Sequence, residues 1–170
     1  MPETTLFNHI LLPVDFSPCS NEAFRIGCAL TRMAGSAVTV LHVIDTSLLA
    51  TLERLGLTAV PSEATAQRRR LRHQARLNLR RLMETDEAKG VNYTRLIVEG
   101  APFVEIAKVA RTKPIDLIVM GTYGGRAAHV DKLFFGSTAE KVVRTAGCPV
   151  LTVPLLAPLN AIPPKRGKAQ

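Results

Sequence analysis

Residues 120–141 read MGTYGGRAAHVDKLFFGSTAEK and hold two glycine clusters: Gly121 with Gly124 and Gly125, then Gly136 leading into Ser137 and Thr138. Glycine suits places where the chain needs positive φ or where another group comes close to the backbone. Ser137-Thr138-Ala139-Glu140 has the form of a capping box, which puts Ser137 at the N-cap and Glu140 at the third helical position. A helix start offers unpaired N–H groups and the positive end of a dipole. A glycine-rich turn before it adds a nest of amides. Together they would hold two or three linked phosphates without a lysine. The plainer reading is a capped helix after a tight turn. A Walker A loop is excluded, because G-x-x-x-x-G-K-[ST] does not occur. A dinucleotide fingerprint is excluded too, since the first strand is followed by DFSPCSNEAF, which has no glycine.

Asp15 ends an apolar run and is the second candidate. It would serve a ribose, a base or a phosphate-bound Mg²⁺ through its outer shell, or else cap the helix that follows. His9, His42, His73 and His129 show no metal-ligand spacing; His42 reads as a satisfied core or edge residue, His129 as a solvated loop residue. Cys19, Cys28 and Cys148 are odd in number and lack a C-x-x-C, so buried reduced thiols are expected. No G-x-S-x-G elbow or carboxylate pair stands ready for acid–base work.

These residues need elements to position them. HILLPVD (9–15) reads as a strand. Ser17-Pro18 reads as the N-cap and first residue of a helix, with Ala23, Ile26, Gly27, Leu30 and Met33 inward and Gly35 as its stop. AVTVLHVID (37–45) is a second strand. The stretch 46–62 reads as irregular. A long helix follows to about Ala88, with Leu71, Ala75, Leu79 and Leu82 inward and Gly90 as its stop. NYTRLIVEG is a third strand, PFVEIAKVARTK a helix, IDLIVMG a strand buried on both faces, STAEKVVRTAG a helix and PVLTVP a fifth strand. Strand–helix alternation of this kind implies a doubly wound parallel sheet with helices on both faces. Its ligands bind beyond the carboxyl ends of the strands, where strand order reverses. We expect one domain over residues 1–156 and a loose basic tail over 157–170.

The net charge of +8 is local. Seven arginines lie between Arg68 and Arg81, and Lys165, Arg166 and Lys168 lie in the tail; without these ten charges the chain stands at −2. With aromatics at 5% and no Trp, a nucleic-acid partner is not expected, and the arginine run reads as a solvated face. No apolar stretch approaches the roughly 20 residues of a membrane span, and no signal peptide is visible, so a cytoplasmic protein is expected.

Three stretches, ILLPVDFSPCSNEAF, VTVLHVID and IDLIVMGTYGG…LFFGSTAEKVVRTAGCPVLTVP, resemble the universal stress protein family over roughly residues 8–154. The resemblance implies a Rossmann-like five-stranded parallel sheet of order 3-2-1-4-5 and a homodimer through the strand Val150–Pro154. Carried over, it puts Pro13, Val14 and Asp15 at the adenosine end of an ATP site and Val43 against the adenine. Met120 and Gly121 flank ribose and phosphates; Gly124, Gly136, Ser137 and Thr138 hold the phosphates. ATP-binding members carry G-x-x-G, nine residues, then G-[ST]. Here eleven residues separate Gly124 from Gly136, a small loop insertion. The implied function is an ATP-binding regulator of the universal stress response, taking ATP alone or with Mg²⁺. It would be at most a slow ATPase, since no positioned base or arginine finger is visible. The alternative is a homodimeric interaction module that binds no nucleotide, which the longer loop favours.

Overall fold

Alternation along the first strand sets the layers. In β1 (His9–Pro13), Ile10 and Leu12 face one side, Leu11 faces the other, and all three are fully buried. A strand buried on both faces must be covered by helices on both. The computed structural model describes residues 6–56, 61–123 and 135–155. Its elements run β1, α1 (Pro18–Ala34), β2 (Ala37–Asp45), α2 (Ser47–Arg54), α3 (Pro61–Met83), β3 (Tyr93–Gly100), α4 (Pro102–Thr112), β4 (Leu117–Gly121), α5 (Ser137–Thr145) and β5 (Val150–Val153). The strands form one parallel sheet of order β3-β2-β1-β4-β5, with His9–Pro13 in register against Ala37–Leu41.

One face carries α1 and α3. Ala23, Phe24, Cys28 and Leu79 pack there on Ile10, Leu12, Val38 and Val119. The other carries α4 and α5, where Ile106, Val109, Ala139 and Val142 meet Leu11, Leu41 and Ile118. β1 therefore hands its chain to one face and β4 to the other. The strand order reverses between them, and a crevice opens at their carboxyl ends.

Several local expectations are corrected. Residues 47–54 form α2, whose first turn is held by the Asp45 carboxylate accepting from Ser47 N at 2.9 Å; the stretch is not irregular as expected. In α1, Met33 is 84% exposed, and the deep positions belong to Cys19, Ala23, Phe24, Gly27, Cys28 and Thr31. The polar Thr31 is admitted because its hydroxyl donates to Gly27 O at 2.8 Å. Gly27 lets the helix settle on the sheet: a Cβ there would lie 2.4 Å from Leu12 Cδ2. Helix α3 ends at Met83, a separate 3-10 turn spans Asp86–Ala88, and Gly90 (φ +72) turns the chain after that. Leu71 is 38% exposed, so α3 packs through its carboxyl half, where Ala75 and Leu79 are buried. The Ser17 cap, Pro18 start and left-handed Gly35 stop of α1 stand as read.

Among the described residues no helix is long and apolar enough to cross a membrane. The tail 157–170 lies outside them, as do Gly124, Gly125 and His129. Cys19, Cys28 and Cys148 are free, the first two buried; burial pushes the Cys28 thiol up to about 11.

Candidate functional site

Six elements, β1, α1, β2, α4, β4 and α5, contribute to the crevice, which encloses a cavity of ≈ 370 Å³. That is within the size range of small-molecule sites. The end of β1 supplies Pro13, followed by Val14 and Asp15; β2 supplies Val43; β4 supplies Met120 and Gly121; Gly136 and the first turn of α5 supply Ser137 and Thr138. Nine of the ten residues singled out from sequence thus line one cavity. The tenth, Gly124, lies outside the described residues. Ser20, Asp45, Pro102, Tyr123 and Ala139 also line it and were not anticipated. For Asp45 a signal existed: it ends β2 as Asp15 follows β1, and strand ends on this side of the sheet meet the crevice.

The capping box is not formed. Gly136 is the N-cap of α5, with φ −63 and ψ 149 and no side-chain cap bond, and Ser137 is the first helical residue. That register leaves Glu140 one position too far along, where it pairs with Arg144 at 3.6 Å. Thr122 O instead takes the Gly136 N–H, at 2.8 Å. The consequence is chemical. The first N–H groups of a helix have no intrahelical partner, and here no side chain among the described residues caps them, while Ser137, Thr138 and Ala139 all border the cavity.

The glycines answer to close approach, and neither of the two described here has positive φ. A Cβ on Gly121 would meet Cys19 C and Sγ at 3.0 Å and Ser20 N at 3.1 Å, all in the first turn of α1. A Cβ on Gly136 would meet Tyr123 Cα at 3.0 Å. Each glycine brings two parts of the chain together at the cavity wall.

Asp15 is tied to the start of α1, whose cap is Ser17, and it borders the cavity. Its Oδ1 accepts from Ser17 N at 3.0 Å, and its own N–H donates to Ser20 Oγ at 3.1 Å, which ties the loop to the start of α1. The carboxylate is also exposed and lines the cavity. Asp45 repeats the pattern at α2. The cavity therefore has carboxylates that follow or end β1 and β2 and, at the start of α5, helix amides with no side-chain cap among the described residues.

His42 is the satisfied residue expected. Nδ1 lies 2.8 Å from Val14 O, and because a carbonyl only accepts, Nδ1 carries the proton. Burial lowers its pKa, with the Val14 bond and Asp15 opposing; burial lowers His9 as well. The unfolded chain then binds protons near pH 6.5 more readily than the folded one. Stability from these histidines is complete above that pH and is lost as pH falls through the lowered values. His42→Asn is expected to flatten the decline of unfolding free energy between pH 6.5 and 5, by up to about 1.4 kcal/mol per pH unit. Urea titrations at a series of pH values check this, and an unchanged slope counts against it.

Among the described residues no three His, Cys, Asp or Glu side chains cluster to hold a metal. Outside the cavity, Arg72 and Arg68 converge on Glu99, the first by a close hydrogen bond and the second at 3.9 Å, so part of the arginine run has a structural use.

The chain matches the family model described as "Universal stress protein family" over residues 6–154. Universal stress protein MJ0531 of Methanocaldococcus jannaschii is 32% identical over 148 residues, 87% of this chain and 82% of that protein. MJ0577 of the same organism is 28% identical over 159 residues, 88% and 96% of the two chains. Its solved structure is similar at a TM-score of 0.73, with 26% identity, covering 89% of this chain and 98% of that one. The structure of UspA from Lactobacillus plantarum is similar at 0.68, with 27% identity over 86% and 97%.

Proposed function

The chain belongs to the universal stress protein family, and from that premise we propose that it is an ATP-binding regulatory protein of the universal stress response. The observation that carries the reading is the first turn of α5, with no side-chain cap among the described residues, at the wall of a cavity of nucleotide size. The phosphates lie against the Ser137, Thr138 and Ala139 amides, with Gly121 and Gly136 allowing the close walls. Met120 flanks the ribose, whose hydroxyls are donors that suit Asp15. The base lies against Val43, with Pro13 and Val14 at the adenosine end. Mg²⁺, where it accompanies ATP, is held by the phosphate oxygens and reached by Asp15 only through its outer shell.

Turnover is slow or absent. The two carboxylates that line the cavity, Asp15 and Asp45, are engaged with Ser17 N and Ser47 N. Neither is placed to orient an attacking water at a terminal phosphate. The outer edge of β5 and the following Pro154 form the homodimer contact in this reading; β5 ends the sheet and Leu151 is 38% exposed.

The test is direct. Freshly purified protein is denatured and its supernatant run on an anion-exchange column, and released adenine nucleotide is expected. No released nucleotide, together with no heat on titrating ATP–Mg²⁺ into the native protein, overturns the reading and leaves a dimeric interaction module.

A further inference from the structure

At the end of the sheet opposite β5, β3 pairs with β2, and no strand lies beyond it among the described residues. The ladder fixes which of its groups turn outward. Asn92 O accepts from Val38 N at 3.1 Å, and Gly100 O accepts from Thr46 N at 3.4 Å, so the even-numbered positions are bonded toward β2. Main-chain groups along a strand alternate in direction. Tyr93, Arg95, Ile97 and Glu99 therefore turn their N–H and C=O groups away from the sheet. The strand runs eight residues without proline, and none of them is buried. At the other end, β5 offers four residues between Pro149 and Pro154. Short length and proline are what blunt a sheet edge, and β3 has neither.

The charge left over at this edge has one sign. The strand carries two charged residues, Arg95 and Glu99. Glu99 is neutralised by α3: Arg72 Nε donates to Oε1 in a close bond, and Arg68 stands 3.9 Å from Oε2. Arg95 alternates in phase with Ile97 and Glu99, and Ile97 packs into the core under α1 and α3, so Arg95 lies on the face that α3 covers. Arg69, Arg72 and Arg76 are three and four residues apart and share one flank of the helix. The Arg72 bond sets that flank beside β3. Arg69, Arg76 and Arg95 are exposed and make no ion pair among the described residues. Uncompensated cations thus border a row of unused main-chain donors and acceptors.

We propose that the outer edge of β3 is a docking site for an extended acidic segment of a partner protein, which adds to the sheet as a sixth strand. Main-chain bonds supply the affinity, as in strand addition generally, and Arg69, Arg76 and Arg95 select acidic side chains. A second copy of the chain does not suit this edge. Pairing β3 with β3 would bring two arginine flanks together, and like charges opposed across a strand pair are destabilising. Single-stranded nucleic acid suits it less well, because a stacking platform uses several rings and β3 carries Tyr93 alone. The proposal does not depend on the nucleotide reading, since β3 contributes no residue to the cavity.

The probe is a capped, fluorescein-labelled peptide of alternating valine and glutamate, titrated into the full chain and followed by anisotropy. Saturable binding is expected, and Arg69→Glu combined with Arg76→Glu should weaken it at least about tenfold. Should those changes disturb α3, Arg95→Glu on the strand itself should weaken binding in the same direction. The same peptide N-methylated at alternate residues keeps its charge and loses ladder donors, and it should bind at least about tenfold more weakly. By NMR, the unmodified peptide should slow amide exchange at Tyr93, Arg95, Ile97 and Glu99 by about tenfold. Thr94, Leu96 and Val98, already bonded to β2, should keep their rates. No binding of the peptide overturns the proposal, as does binding that is indifferent to N-methylation or that lacks this alternation along β3. Binding unchanged by the charge reversals overturns the role of the arginines. An oligouridylate of equal charge that binds more tightly than the peptide overturns the choice of partner.

Discussion

Gly136→Val should weaken ATP binding by at least about 100-fold, about 2.7 kcal/mol, in a protein that still folds. The backbone at Gly136 has φ −63 and ψ 149, which any residue adopts, so conformational strain is not the cause. The cause is contact. A Cβ would stand 3.0 Å from Tyr123 Cα, 3.3 Å from Tyr123 Cβ and 3.4 Å from Thr122 O. The 2.8 Å bond from Gly136 N to Thr122 O keeps the two strands of the loop base from separating freely. Tyr123 lines the cavity, so its displacement enters the site, and the added methyls crowd the amides of α5. Calorimetric titration with thermal unfolding in parallel reads both quantities. Affinity within about threefold of the native protein would show that the phosphates lie elsewhere. Gly136→Ala should fall between the two.

Gly121→Val acts on the fold itself. The Cβ there meets Cys19 C and Ser20 N, backbone atoms of the first turn of α1, at 3.0 and 3.1 Å. Backbone cannot rotate aside, so α1 must lift from β4. Overpacking of this kind costs about 3 kcal/mol at its upper range, or roughly 6–12 °C in midpoint for a chain of this size. Cys19 Sγ is equally close, yet Cys19→Ala should not rescue the variant, because the main-chain contacts remain. Rescue would mean that the sulfur alone sets the limit. A midpoint within about 2 °C of the native protein would mean that the α1–β4 contact is looser than these distances require.

The sheet was legible because its strands are short apolar runs between helical patterns, and the family resemblance supplied their order. The residues that line the cavity were legible for the same reason: they sit at strand ends and a helix start, and topology gathers such ends without any side-chain detail. What escaped was local competition. Ser137 has the right type for a cap, but the Gly136–Thr122 bond holds the loop base one residue earlier and moves the helix start with it. Met33 fits an apolar stripe that a buried Thr31 displaces, because a hydroxyl bonded to the backbone behaves as core. Helix α2 is nucleated by a carboxylate at the end of the preceding strand, a signal that lies outside the helix itself.

The central claim is that the main-chain amides at the start of α5 take the place of a phosphate-binding lysine. It is tested most directly by titrating the isotope-labelled protein with ATP, ADP, AMP and adenosine while following the Ser137, Thr138 and Ala139 amides by NMR. The account predicts saturable downfield shifts of those amides with ATP that shrink as phosphates are removed, with adenosine leaving them in place. ATP that binds at the native affinity and moves other amides while these three stay still would contradict it.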